Sequence, residues 1–143
     1  MRYKVFLDTN ILLSGIFFEG NESKILDLIE IDLVTSEDVV SELHKVINKK
    51  LRYLKGRSLE IALLETNRAL SDIEIISRTK YSQKIKEAES LIPHKKDARI
   101  LAAVLFAKPD YFLTGDSHFL IDRVTNLVKV MSAKHLLEEI KRH

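Results

Sequence analysis

Residues 3–16 read YKVFLDTNILLSGI, in which a short strand pattern runs directly into a helical one. Residues 3–7 form a short apolar and aromatic run, which is typical of a buried strand. Apolar residues then recur at Ile11, Leu12 and Ile16 with the spacing of one helix face. This segment therefore predicts a strand that leads into a helix, with the acidic Asp8 at their junction.

The rest of the chain repeats this alternation of strands and helices. Further strands are predicted at residues 31–35, 73–76, 110–114 and 127–131. Helices are predicted around residues 25–29, 39–47, 59–70, 97–107 and 133–142, with a polar helix that ends near residue 91 before the break at Pro93. Such alternation predicts a single α/β domain over residues 1–143, with three layers and a mainly parallel central sheet flanked by helices. A ligand site is then expected beyond the carboxyl ends of the strands.

The composition excludes several classes of protein. The 143 residues contain no cysteine, so disulfides, thiolate metal sites and cysteine nucleophiles are excluded. The longest apolar run, residues 100–107, is too short to cross a membrane, and Asp8 interrupts any N-terminal signal sequence. We therefore expect a cytoplasmic protein with no membrane association. The net charge of +2 neither requires nor excludes a nucleic-acid partner.

Four acidic residues occupy unusual positions in this pattern. Asp8 and Asp116 each follow a predicted strand, whereas Glu42 and Asp97 lie three and four residues from apolar positions on predicted helices. Each position also has a structural explanation. Asp8 could cap the following helix, Asp97 could interact with a helix N-terminus, and Asp116 could serve a turn at Gly115. Glu42 could reach solvent or pair with a nearby lysine, Lys45 or Lys49.

Taken together, these four acids can converge at one end of the predicted sheet. Close carboxylates repel one another unless a hard divalent cation takes their oxygens as ligands, so the pattern predicts Mg²⁺ or Mn²⁺. Such a metal ion can activate water for phosphodiester hydrolysis without a protein nucleophile, and a second ion can stabilise the leaving oxygen.

Four sequence motifs together resemble those of PIN-domain ribonucleases, including the VapC-like toxins. The motifs are FLDTN (residues 6–10), VSEL (40–43), DARILAA (97–103) and LTGD (113–116), and they span nearly the whole chain. The resemblance implies Asp8, Glu42, Asp97 and Asp116 as catalytic metal ligands, in an endoribonuclease with a PIN-like fold. It also implies polar support from Thr9, Asn10, Thr114 and Ser117, an RNA substrate, a small antitoxin protein as partner, and a homodimer.

The chain departs from this family pattern at His118. Many relatives carry a further acid two positions after the fourth one, where this chain has histidine, so occupancy of a second metal site is not implied. His118 could contact phosphate, help to protonate a leaving group, or have only a structural role. The histidines as a group lack the spacing of zinc peptidases and have no cysteine partners, so a structural zinc site is not expected.

A basic segment without acids extends from His44 to Arg57, beginning on the predicted helix that carries Glu42. It contains six cations that could guide an RNA backbone past the metal site, namely Lys45, Lys49, Lys50, Arg52, Lys55 and Arg57. The alternative is a solvated helix face followed by a polar connection. Lys95, Lys96 and Arg99 could add to either role.

The toxin of a toxin–antitoxin pair is the leading prediction, and three other functions fit parts of the pattern. An RNA-processing nuclease outside such a pair would have the same chemistry. A catalytically inactive domain that binds RNA or protein would not need all four acids. A phosphotransferase with Asp8 as nucleophile usually has a second acid two residues later, where this chain has Asn10.

Overall fold

A five-stranded parallel sheet forms the centre of the computed structural model, which describes residues 2–142. Its strands are β1 (Tyr3–Leu7), β2 (Ile31–Ser36), β3 (Glu74–Ile76), β4 (Tyr111–Leu113) and β5 (Val130–Met131). They lie in the order β3-β2-β1-β4-β5, and each adjacent pair is parallel. The predicted α/β class with a parallel sheet flanked by helices is confirmed.

The helices alternate with these strands along the chain. They are α1 (Thr9–Phe17), α2 (Asn21–Leu26), α3 (Glu37–Lys50), α4 (Leu59–Leu70), α5 (Arg78–Tyr81), α6 (Ile85–Leu91), α7 (Lys95–Ala107), α8 (Asp122–Thr125) and α9 (Ala133–Lys141). Single 3₁₀ turns occupy Leu51–Tyr53, Ser82–Lys84 and Ser117–Phe119. None of the helices within residues 2–142 is long and apolar enough to cross a membrane.

The core is built on the central strand and the helices that cover it. Val5, Phe6 and Leu7 are fully buried, as expected for a parallel strand that is covered on both faces. Phe112 lies between Phe6 and Phe119, with edge-to-face ring contacts at 5.6 and 5.0 Å between centroids. Such contacts add to the stabilisation that comes from burying apolar area, and they fix β4 against β1.

Three predicted segments differ from the structure. The helix predicted around residues 25–29 is α2, which begins at Asn21 and ends at Leu26, so Leu28 and Ile29 lie outside it. The strand predicted at residues 127–131 is reduced to Val130–Met131, because the unpredicted helix α8 and the turn after it occupy residues 122–127. The polar helix that was predicted to end near residue 91 is instead α5, a 3₁₀ turn and α6. Elements of one or two turns are too short to show a clear helical period, so the pattern could not resolve them.

The strand order creates a crevice beside β1. The chain first passes outward from β1 through β2 to β3, and it then returns to the other side of β1 to form β4. The connections that leave the carboxyl ends of β1 and β4 therefore run in opposite directions and leave a crevice between them. Open α/β sheets bind ligands in a crevice of this kind. Leu7 and Leu113 are register partners at these ends, so Asp8 and Thr114 emerge side by side.

Candidate functional site

Asp8 lies at the centre of this crevice and is fixed by three hydrogen bonds. Its backbone N–H donates to the carbonyl of Leu113 at 3.1 Å, which continues the β1–β4 pairing by one residue. Its Oδ1 accepts from the backbone N–H of Thr9 at 2.7 Å, and its Oδ2 accepts from the Thr114 hydroxyl at 2.6 Å. The predicted helix-capping role of Asp8 is therefore present, and the side chain still points to the carboxyl edge of the sheet.

Burial changes the protonation of Asp8. The residue is only 4% exposed, and loss of hydration is the main reason that its pKa is raised from 3.8 to about 6. The hydrogen bonds from Thr114 and Thr9 oppose this change, whereas the negative charges of Asp116 and Glu42 add to it. Asp116 and Glu42 are thus close enough to Asp8 to affect its pKa.

Asp116 is joined to Asp8 through the Thr114 hydroxyl. That oxygen donates to Asp8 and accepts from the Asp116 backbone N–H at 3.0 Å. The Asp116 carboxylate in turn accepts from the backbone N–H of His118 at 2.9 Å, which caps the 3₁₀ turn Ser117–Phe119. The turn chemistry predicted for Asp116 is present, and it holds this half-buried acid beside the crevice.

Asp97 enters the site from the first turn of α7. It is only 7% exposed, and its Oδ2 lies 2.8 Å from Nδ1 of His118. The same nitrogen is 3.5 Å from the Asp116 carboxylate. The imidazole of His118 therefore bridges Asp97 and Asp116. It also stacks on the ring of His94, with centroids 4.5 Å apart.

Glu42 approaches from the second turn of α3. Ser36 caps this helix by accepting from the Val39 N–H at 3.3 Å, so the helix begins at the carboxyl edge of β2. The half-buried Glu42 carboxylate lies 3.6 Å from the Lys96 ammonium group. Its nearest cation is thus supplied by α7, whereas the sequence suggested a lysine on its own helix.

The donor set fits a hard divalent cation. Buried and half-buried carboxylate oxygens are the ligands that Mg²⁺ and Mn²⁺ prefer, and a cation would offset the charges that raise the pKa of Asp8. The hydroxyl of Thr9 is also buried and has no partner among residues 2–142. The acids are not at ligand spacing, however, since no three of them bring their oxygens within 4.8 Å of one another in the described chain.

The four predicted support residues divide into two pairs. Thr114 and Thr9 contact Asp8 directly, through a hydroxyl and a backbone N–H. Asn10 and Ser117 are exposed, and no hydrogen bond within the described residues links either side chain to the four acids. Thr114 directly follows the last residue of β4, and its hydroxyl therefore lies beside Asp8.

The six cations of the predicted basic segment have different contacts in the structure. Arg57 pairs with Glu65 at 2.6 Å and lies over the ring of Phe17, which gives it a structural role. Lys55 lies over Phe18, and Arg52 over Tyr53. The exposed Lys49 and Lys50 end α3, and the rise of a helix puts Lys49 about 10 Å from Glu42 along the axis. Lys45 is the member of this segment that lines a cleft with Glu42.

That cleft, which we call the basic cleft, has a volume of about 300 Å³ and lies between α3, α5 and α7. Four cations line it together with two acids, a serine and an isoleucine: Lys45, Arg78, Lys96, Arg99, Asp38, Glu42, Ser41 and Ile100. Asp38 organises this wall, since it pairs with Arg78 and Arg99 and accepts a hydrogen bond from the Tyr81 hydroxyl. No local sequence pattern indicates Arg78, because its contact with Asp38 joins two helices that are far apart in the chain.

A family model described as "PIN domain" matches residues 6–136, which is most of the chain. No relative was found among curated proteins.

Several solved structures share the fold at low sequence identity. VapBC2 from Rickettsia felis, bound to a DNA fragment from its promoter, aligns over 90% of this chain and 98% of its own, with 19% identity and a TM-score of 0.64. VapBC-1 from nontypeable Haemophilus influenzae aligns over 92% and 98%, with 14% identity and a TM-score of 0.66. A toxin–antitoxin complex from Klebsiella pneumoniae aligns over 90% and 97%, with 17% identity and a TM-score of 0.63. The match of the family model over residues 6–136 and these shared folds agree with the motifs in the sequence, and the chain belongs to the PIN domain family.

Proposed function

We propose that this protein is a divalent-metal-dependent endoribonuclease. The observation that carries the proposal is the buried Asp8 carboxylate, which lies at the switch point of a parallel sheet and is influenced by the charges of Asp116 and Glu42. A parallel sheet could bury an apolar residue there at lower cost, because a buried charge must be compensated. Binding of a cation is a direct form of that compensation.

Asp8, Glu42, Asp97 and Asp116 would hold the metal ion, and each has a distinct support. Thr114 and the Thr9 backbone orient Asp8, and the 3₁₀ turn orients Asp116. Glu42 is positioned by α3, which begins after its N-cap Ser36. Asp97 is positioned by α7, which begins after its N-cap His94. When bound, Mg²⁺ or Mn²⁺ would lower the pKa of water and neutralise charge on the scissile phosphate. The chain itself supplies negative charge for the ion and excludes bulk water around Asp8.

The basic cleft gives this site a place for the substrate backbone. It shares Glu42 with the acids, and its four cations exceed its two carboxylates in charge. Phosphates that flank the cleaved bond would contact Lys45 and Arg99, because both line the cleft beside Glu42. RNA is the proposed substrate, in agreement with the resemblance of the motifs to those of PIN-domain ribonucleases.

The proposed biological role is that of a toxin with a small antitoxin protein as partner. The support is the shared fold with the VapBC structures and with a toxin–antitoxin complex, together with alignment over nearly their whole chains. We further propose that the protein acts as a single-domain homodimer in the cytoplasm. An RNA-processing role outside a toxin pair would use the same site.

The test is incubation of the purified full chain with end-labelled RNA and with DNA of the same sequence. We expect cleavage of RNA with Mg²⁺ or Mn²⁺, none with chelator, and little cleavage of DNA. Cleavage that continues in chelator would contradict the metal dependence, and equal cleavage of DNA would contradict the specificity for RNA. Co-expression with the product of a neighbouring gene, followed by growth measurement, separates the toxin role from RNA processing.

A further inference from the structure

Three side chains from two separate parts of the sequence meet at the edge of the proposed nuclease site. His94 occupies the N-cap position of α7, Asp97 lies in its first turn, and His118 belongs to the 3₁₀ turn after β4. One potential ligand atom from each lies within 4.8 Å of the other two. Asp97 is buried, whereas both histidines are exposed, so the group is open to an ion from solvent.

The contacts within this group go beyond those of an ordinary ion pair. The hydrogen bond between His118 and Asp97 alone could be explained as a structural contact. His94 adds a second imidazole, stacked on that of His118 at a ring distance of 4.5 Å. Neither ring nitrogen of His94 forms a hydrogen bond with another of the described residues, so its lone pair is available to a ligand.

The chemistry of these donors differs from that of the four acids. Mg²⁺ strongly prefers oxygen ligands, whereas two imidazoles and a carboxylate suit Zn²⁺, Co²⁺ and Mn²⁺. Three protein ligands also leave coordination positions open for water or for a substrate oxygen. Two of the three donors in this group are nitrogen atoms, so the group favours transition-metal ions over Mg²⁺.

We propose that His94, Asp97 and His118 form a binding site for a divalent transition-metal ion, a site that Mg²⁺ does not fill. The proposal rests on the proposed function only through Asp97, which the two sites share. The ion at this site would lie beside Asp116, because His118 contacts both acids.

The experiment titrates metal-free full-length protein with Co²⁺ and records its visible absorption, in the absence of RNA. We expect the bands of nitrogen-ligated Co²⁺ in the wild type, and these bands should disappear when Zn²⁺ is added and persist when Mg²⁺ is added. His94→Ala and His118→Ala should each weaken Co²⁺ binding by at least about tenfold, because each removes a direct ligand. Both residues are exposed, and circular dichroism checks that the variants fold.

Two further variants make the result specific. His44→Ala is the matched control, since His44 lies on α3 about 200° around the helix from Glu42, and it should bind Co²⁺ as the wild type does. His118→Asp replaces a nitrogen ligand with an oxygen ligand, so Mg²⁺ should then compete with Co²⁺ for the site.

The outcomes separate this inference from the proposed nuclease function. If the His94→Ala/His118→Ala double variant binds Co²⁺ like the wild type, while Asp8→Asn does not, the ion is held by the acids alone and the inference is wrong. If the histidine variants lose Co²⁺ but no RNA is cleaved with any metal, the metal site stands and the nuclease proposal fails.

Discussion

Asp8 shows how one residue can have a structural and a functional role together. Its Oδ1 satisfies the N–H of Thr9 at the start of α1, which is ordinary helix capping. A serine or an asparagine could provide the same cap without placing a charge in a buried site. The raised pKa of Asp8 measures the cost of retaining a carboxylate there, and burial is its main cause. Function explains the choice of acid better than capping does.

We predict that removing the charge of any one of the four acids abolishes most of the cleavage. Asp8→Asn, Glu42→Gln, Asp97→Asn and Asp116→Asn should each lower kcat/KM by at least about 100-fold, or about 2.7 kcal/mol, because each removes a charged metal ligand and keeps the shape. Cleavage of labelled RNA with Mn²⁺ is the measurement.

Asp72→Asn is the matched control for this set. Asp72 is exposed and precedes β3, so it lies at the amino edge of the sheet, opposite the crevice. Its substitution should leave cleavage unchanged. Activity within a few-fold of wild type in both Asp8→Asn and Asp97→Asn would show that the four acids are not the catalytic group.

At the scale of elements, the strongly periodic segments could be predicted and the short ones could not. The helix predicted at residues 59–70 is α4, with the same bounds, and the strand predicted at residues 3–7 is β1. Both carry enough apolar residues in sequence to show their period. α8 and the two-residue β5 are defined by tertiary contacts of a few residues, so they leave no periodic pattern.

The candidate site was predictable to the same extent. Strand ends and core-side helix positions indicated Asp8, Asp116, Glu42 and Asp97, because their placement depends on local geometry. Two other contacts depend on how separate elements pack against each other: the pairing of Asp38 with Arg78 and the stacking of His94 on His118. No local sequence pattern predicts that packing.

We predict that RNA binds the basic cleft through Lys45 of α3 and Arg99 of α7, and that the carboxyl end of α3 contributes little. The double variant Lys45→Gln/Arg99→Gln should weaken RNA binding and lower the slope of log K against log salt by about 1.4, since each lost phosphate contact on a single strand accounts for about 0.7. Binding is measured in chelator, so that no cleavage occurs.

The control for this prediction is Lys49→Gln/Lys50→Gln, which removes the same charge from the exposed end of α3. Its slope should stay close to that of the wild type. An equal effect of both double variants would mean that RNA follows the whole basic segment predicted from the sequence, and that the basic cleft has no special role.

Over the whole molecule, the charge arrangement links catalysis to stability. The net charge is only +2, yet the carboxyl edge of the sheet holds a buried acid next to a cleft with an excess of cations. Burial of the Asp8 carboxylate, with a smaller contribution from the charges of Asp116 and Glu42, is a cost to the folded state that is absent in the unfolded chain, where Asp8 has its ordinary pKa of 3.8. Stability should therefore depend on both pH and metal.

The expected direction follows from the pKa of Asp8. The folded state binds this proton up to about pH 6, whereas the unfolded state releases it near pH 3.8, so the folded state holds more protons in between. Stability from this group is fully present below pH 3.8 and is lost as the pH rises through about 6. The difference between the two pKa values corresponds to roughly 3 kcal/mol. Metal-free wild type should thus lose stability between mildly acidic and neutral pH.

Asp8→Asn and added metal should each remove this loss, for different reasons. The amide has no charge to bury, so the metal-free variant should show a flatter dependence of Tm on pH than wild type, whereas Asp72→Asn should not. Mg²⁺ or Mn²⁺ binds the ionised acids of the native state, so it should raise the Tm of wild type more at pH 7 than at pH 5. It should raise the Tm of Asp8→Asn much less. The prediction fails if the wild-type Tm in chelator is equal at both pH values and metal does not change it at pH 7. The ionised Asp8 carboxylate would then neither destabilise the folded state nor bind a cation.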